Sequence, residues 1–187
     1  ATFVSPTEVS VGKETVTSAK WIIATGSEVT PLPCAPTDGK VVITSNEAIS
    51  LKKVPKHMVV IGGGVIGVEL GSVYARLGSK VTVVEFFDGL IPTMDKDLGK
   101  ALQKSLKKLG FEYHFSTKVT NVAVKGQTAT VTAENKKGET IEIKADTVLV
   151  SIGRRPNTGG LGLDKIGINC EKGGQVPINA HFQTSVP

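Results

Sequence analysis

Residues 59–71, VVIGGGVIGVELG, constrain the fold of this chain more than any other stretch. An apolar run, HMVVI, reads as a buried strand and breaks into three consecutive glycines. Apolar residues then recur at helical spacing until Gly78, a stop signal. Gly62, Gly64 and Gly67 fit the pattern G-x-G-x-x-G. In such a pattern the first glycine allows a tight turn. The second lets backbone approach a pyrophosphate, and the third lets helix and strand pack closely. The helix N-terminus offers unpaired N–H groups and a partial positive charge to the anion. A lone pattern of this kind is weak. Here a second buried strand, KVTVVE, follows and ends in Glu85, 23 residues after Gly62. A carboxylate at that place can accept both hydroxyl hydrogens of an adenosine ribose. Strand, glycine turn, helix and second strand together predict a dinucleotide-binding α/β unit with a Rossmann-like parallel sheet.

Glu85 also selects the dinucleotide. A 2′-phosphate beside it would be repelled by on the order of a few kcal/mol. Sites for the phosphorylated cofactor supply arginine, whereas VEFFDGLIPTMD has none and adds Asp88. The pattern therefore predicts NAD over NADP. Glu69, inside the helix, has two readings. It is either a carboxylate favoured by the helix dipole, or an acceptor for the carboxamide of a nicotinamide. The local pattern leaves both open.

The flanks read differently. Residues 1–24 alternate as a short β-meander that feeds a buried strand at residues 21–24, WIIA, followed by turn chemistry in TGSEVTPLP. Residues 31–56 are punctuated by proline and hold a short helix with its N-cap at Thr44 or Ser45. Residues 95–109 predict an amphipathic helix with Leu98, Ala101, Leu102, Leu106 and Leu109 on one face, ended by Gly110. Residues 118–144 alternate again and predict a three-strand antiparallel sheet with glycine turns. ADTVLVSIG is one more buried strand, and the tail from residue 154 is rich in loops.

Composition excludes several classes. The net charge of +5 comes from lysines scattered singly or in pairs, without a basic block or interleaved aromatics, so no nucleic-acid partner is expected. No apolar run reaches the roughly 20 residues of a membrane span, so no membrane partner is expected. Cys34 and Cys170 stand 136 positions apart, outside any C-x-x-C or metal-ligand spacing. His57, His114 and His181 are equally scattered, and no metal site is predicted. The first residues, ATFVSPTEVSVGKETV, carry neither an initiator Met nor a signal-peptide core, as if the chain were entered within a domain.

Three stretches in this order resemble the dihydrolipoamide dehydrogenases of the flavoprotein disulfide oxidoreductase family. They are WIIATGSEVTPLP, SLKKVPKHMVVIGGGVIGVELGSVYARLGSKVTVVE and SIGRRPN. The resemblance covers nearly the whole chain. It implies a homodimeric enzyme, in the mitochondrial matrix or the bacterial cytoplasm. That enzyme reoxidises dihydrolipoamide on the lipoyl domains of α-keto-acid dehydrogenase complexes, passing electrons through a redox disulfide and FAD to NAD. It also implies three pieces: residues 1–36 and 157–187 from an FAD domain, and residues 37–156 as the NAD domain. Carried over by motif, the NAD site takes Gly62, Gly63, Gly64, Val65, Ile66, Gly67, Val68, Glu69 and Glu85, with Val119 in TKVT and Gly153 in SIGRRPN. The resemblance turns Glu69 toward the nicotinamide and flavin. Thr25, Gly26 and Ser27 match a turn that touches FAD, and residues 153–157 match the second junction.

The departures are equally specific. The chain has no C-x-x-x-x-C pair and no second G-x-G-x-x-G for a flavin diphosphate. It is expected to be a middle excerpt, inactive by itself and without a catalytic residue. Related disulfide reductases share the glycine motif, and a free-standing NAD-binding module is the alternative outside catalysis. Glutathione-type reductases prefer NADP and should carry the arginine that is missing here.

Overall fold

The computed structural model describes residues 1–186 and divides into two compact units: Ala1–Glu28 with the residues from Arg154 on, and Val29–Gly153. In chain order the first unit opens with an antiparallel meander of β1 (Thr2–Ser5), β2 (Glu8–Val11) and β3 (Glu14–Thr17). Then comes β4 (Ser27–Val29). The second unit holds β5 (Val42–Ile43), α1 (Ser45–Ala48), β6 (His57–Ile61), α2 (Val65–Arg76), β7 (Lys80–Val84), α3 (Lys96–Lys107) and β8 (Glu112–His114). It continues through β9 (Thr117–Lys125), β10 (Thr128–Asn135), β11 (Thr140–Ala145) and β12 (Thr147–Val150). β13 (Arg154–Pro156) pairs with β4, and a single 3-10 turn covers Asp164–Ile166.

The second unit is built on a five-stranded parallel sheet ordered β5-β12-β6-β7-β8. Its strands read as unbroken apolar runs because both faces are covered. Met58, Val60, Val81, Val83 and Leu149 face one core with Val68, Tyr74, Leu106 and Phe111. Val59, Ile61, Val84, Val148 and Val150 face the other, closed by Val119, Val122, Ala129, Val131 and Ala133 of the β9-β10-β11 meander. The meander's turns place Gly126 and Gly138 at positive φ. Short α1 is started by a capping box. The Thr44 side chain accepts from Asn46 N–H, and Glu47 Oε2 accepts from Thr44 N–H at 2.8 Å. The buried Tyr74 hydroxyl donates to the Ala48 carbonyl, tying α2 to α1.

Three expectations change. Residues 21–24 form no strand, and Ile22 is 91% exposed. Their backbone finds no ladder partner among the described residues, and an apolar run becomes a strand only where a neighbour satisfies its N–H and C=O groups. Trp21 packs instead edge-on to Phe3, at 5.7 Å between centroids. TGSEV is not wholly a turn, because Ser27–Val29 is β4. The buried stripe of α3 runs through Gly99, Leu102, Leu106 and Leu109, while Leu98 and Ala101 are exposed. The helix is rotated because Gly99 lies against the Leu90 carbonyl, where an added Cβ would come within 2.7 Å of the oxygen. The two compact units themselves part at 28/29 and 153/154. Leu32 and Cys34 already pack on the core of the second unit.

At the amino-terminal edge of the parallel sheet, on the meander side, a polar chain crosses three strands. His57 Nε2 lies 2.9 Å from Thr82 Oγ1, Thr82 Oγ1 donates to Glu112 Oε2, and Lys80 Nζ is 2.9 Å from the same oxygen. Burial pushes the His57 pKa down, and the Lys80 charge adds to this. The Lys144 carbonyl and the Glu112 and Asp146 carboxylates oppose it. The folded imidazole therefore takes up a proton less readily than the unfolded one, whose value is 6.5, and stability falls as pH drops below that value. Glu112 is held low by its hydrogen bond with Lys80, and Glu47 by Thr44, so the stability both contribute is present above 4.5 and is lost as pH falls below it. Urea unfolding between pH 7 and 5 should show a loss of stability that His57→Gln removes; equal slopes in both proteins would contradict this. Separately, a Cβ on Gly67 would lie 2.2 Å from the Gly62 carbonyl oxygen, whereas one on Gly64 meets nothing within 4 Å. Gly67→Ala should cost at least about 2–3 kcal/mol in denaturant unfolding. Gly64→Ala should stay within about 1 kcal/mol.

Candidate functional site

The carboxyl ends of β6 and β7 meet at the glycine turn. Gly62 closes β6 at φ +101°, a conformation that L side chains rarely adopt, and its N–H donates to the Val84 carbonyl at 2.9 Å. Ser151, just past β12, donates through Oγ to the carbonyls of Ile61 and Gly62, both at 3.1 Å. Gly64 is the N-cap of α2, with no side chain capping the helix. The open space at Gly64 and the uncapped N–H groups behind it are what a pyrophosphate needs.

Glu85 is 5% exposed and sits directly beyond β7. Its Oε2 accepts from Gly63 N–H, and its Oε1 accepts from Phe87 N–H at 2.8 Å. Each carboxylate oxygen keeps acceptor capacity for a further hydroxyl. Its own backbone is held as well: Glu85 N–H donates to the His114 carbonyl, and its carbonyl accepts from Thr117 N–H, both at 2.9 Å. The acid is thus locked between the turn and the start of β9.

The other predicted residues fall into three groups. Val65 is exposed and Ile66 half-buried on the first turn of α2, while Val68 is buried in the helix-side core. Glu69 is exposed on the next turn, and among the described residues its carboxylate has no hydrogen-bond partner. Val119 is buried on β9, beside a bulge, and its carbonyl accepts the Cys34 thiol at 3.4 Å. Gly153, two residues past Ser151, has φ +124°, and its carbonyl accepts from Thr30 N–H at 3.0 Å.

Thr25, Gly26 and Ser27 belong to the first unit. There they meet the second junction motif, 127 positions or more away by chain in the pairs that touch. Asn157 N–H donates to the Gly26 carbonyl and Asn157 Nδ2 to the Thr25 carbonyl. Arg154 holds Ser27 through both Oγ and the carbonyl, and Arg155 pairs with Glu28 at 2.8 Å.

The G-x-G-x-x-G pattern leaves Gly63 free. In the structure a Cβ there would lie 2.9 Å from Leu90 Cδ2 and 3.3 Å from Glu85 Oε2. Ile91 N–H donates to the Gly63 carbonyl at 2.8 Å, so the loop after β7 closes over the turn. That loop carries no repeating pattern, and no motif signals it. Ser151 was missed for the same reason: a lone serine after a buried strand has no sequence signature.

Comparison with known proteins shows the family. The family described as pyridine nucleotide-disulphide oxidoreductase matches residues 1–187. The chain is 49% identical over 177 residues to a mitochondrial dihydrolipoyl dehydrogenase of Dictyostelium discoideum, covering 93% of this chain and 36% of that protein. It is 47% identical over 190 residues to the mitochondrial dihydrolipoyl dehydrogenase of Pisum sativum, covering 98% and 38%. Among solved structures, the HOCl-induced flavoprotein disulfide reductase RclA from Escherichia coli superposes with a TM-score of 0.86 at 25% identity, covering 99% of this chain and 42% of that one. The chain thus spans well under half the length of these relatives. Family membership implies FAD and a nicotinamide dinucleotide as cofactors of the whole enzyme. The full-length match and the glycine turn with its acid lead to one conclusion: the chain belongs to the pyridine nucleotide-disulphide oxidoreductases.

Proposed function

We propose that this chain is the NAD-binding segment of a dihydrolipoyl dehydrogenase. The observation that carries the reading is the buried Glu85 carboxylate beside the glycine turn, with a backbone N–H on each oxygen and acceptor capacity left for a ribose. The relatives at 47–49% identity support the enzyme.

The residues present fit a dinucleotide. The N–H groups at the start of α2 bind the pyrophosphate, Gly64 leaves it room, and Glu85 orients the adenosine ribose. The exposed Glu69 accepts from the carboxamide of the nicotinamide. When bound, the dinucleotide supplies the hydride acceptor, and the chain contributes position and electrostatics. For the flavin this chain offers the turn at Thr25, Gly26 and Ser27, held by Arg154 and Asn157.

In the longer protein the partners are the lipoyl domains of α-keto-acid dehydrogenase complexes and a second copy of the enzyme, in the mitochondrial matrix. The present chain does not oxidise dihydrolipoamide alone. Its only thiols, Cys34 and Cys170, are 136 positions apart and belong to different compact units.

NADH binding, measured by calorimetry, tests the reading. Glu85→Ala should weaken it by about ten- to a hundredfold, because hydroxyl hydrogen bonds to a carboxylate contribute roughly 1.5–3 kcal/mol. NADPH should bind more weakly than NADH. An unchanged dissociation constant, equal affinity for the two dinucleotides, or lipoamide-dependent NADH formation by this chain alone would overturn it.

A further inference from the structure

We propose that Ser151 is a positioning residue for the dinucleotide: acting across β6, it holds Glu85 in the orientation that meets the ribose. The inference rests on the reading that the glycine turn and Glu85 hold NAD. It adds a residue that the glycine motif does not contain.

The least constrained link of the turn is the peptide between Gly62 and Gly63. Both residues lack a Cβ, so rotation of this plane meets little resistance from its own chain. Its orientation must come from outside, and the structure supplies one partner at each end. The Gly62 carbonyl accepts from Ser151 Oγ at 3.1 Å, and the Gly63 N–H donates to Glu85 Oε2. Ser151 follows β12 and Glu85 follows β7, the two neighbours of β6 in the sheet. A hydroxyl on one side of β6 is thereby joined, through a single peptide, to the carboxylate on the other.

The hydroxyl is the part that matters. Ser151 also donates to the Ile61 carbonyl through Oγ at 3.1 Å, but that carbonyl keeps the Ser151 backbone N–H at 2.9 Å. The Gly62 carbonyl has no second donor among the described residues. Ser151 is 8% exposed and Gly62 is buried, so solvent is a poor replacement. Alanine at position 151 therefore leaves a buried carbonyl unpaired, and tilting of the peptide plane relieves it. The tilt takes the Gly63 N–H away from Glu85 and releases Oε2 from its place beside the turn.

The test is a double-mutant cycle read by NADH titration of this chain. Ser151→Ala should weaken binding about three- to tenfold. In the Glu85→Ala background the same substitution should change affinity by less than about twofold, because its effect passes through the acid. Ser79→Ala is the stability control. Ser79 is buried, and its Oγ donates to the Pro55 carbonyl at 2.6 Å, at the opposite end of β7 from Glu85. It should lower the thermal midpoint, as Ser151→Ala does, and leave NADH affinity within about twofold. The Gly63 amide proton, donated to a carboxylate, should move upfield in Ser151→Ala and stay in place in Ser79→Ala. Ser151→Cys, with a weaker donor at the same place, should fall between serine and alanine, and it takes alanine's part in the cycle if that variant does not fold. Unchanged affinity in the position-151 variants, an equal loss in the Glu85→Ala background, or an unmoved Gly63 amide would overturn the inference. The dinucleotide reading would survive these results as long as Glu85→Ala itself weakens NADH binding. An affinity that Glu85→Ala leaves unchanged overturns both.

Discussion

The site depends on one buried carboxylate. Removing a charged carboxylate from water is expensive unless hydrogen bonds replace the lost solvent. Glu85 meets that requirement with two backbone N–H groups, one from the glycine turn and one from its own strand end. The exchange fixes both partners. Gly63 cannot swing away from the acid, and the residues after β7 cannot fray. Ile91 and Leu90 close the other side of the turn, through a hydrogen bond to the Gly63 carbonyl and a methyl against its Cα. The result is a turn and an acid held in one fixed geometry.

Around this point the packing is strict. Gly62 and Gly67 leave no space for a side chain, because Ser151 and the Gly62 carbonyl occupy it. Gly71 brings α2 down onto Phe111 and Val81. Glycines therefore set the distance between helix and sheet, and the core of valine and isoleucine on either side of the sheet sets its rigidity. Gly64 differs from its neighbours. Among the described residues nothing lies within 4 Å of a Cβ placed there, so packing does not require this glycine.

Much of this was legible in the sequence, for identifiable reasons. The parallel strands read as unbroken apolar runs because both faces are buried, and the meander alternates because one face meets solvent. The start of α1 was legible as Thr44 or Ser45, and the capping box with Glu47 makes it Thr44. What failed depends on tertiary partners. Residues 21–24 look like a strand, but strand formation is decided by a neighbouring ladder. Leu98 fits the apolar period of α3, yet contact between Gly99 and Leu90 rotates it outward. The meeting of Thr25, Gly26 and Ser27 with Arg154 and Asn157 joins segments far apart in the chain. No local pattern encodes such a contact. Gly63 and Ser151 were invisible because their roles come from what the fold places beside them.

The most direct test of the central claim is an amide chemical-shift map of this chain on addition of NADH. The account predicts perturbations centred on Gly63, Gly64, Val65 and Ile66 at the start of α2 and on Phe87 beside Glu85. Residues of the lower edge of the sheet, such as His57 and Lys80, should not move. Shifts that spare the glycine turn, or that concentrate elsewhere in the chain, would contradict it.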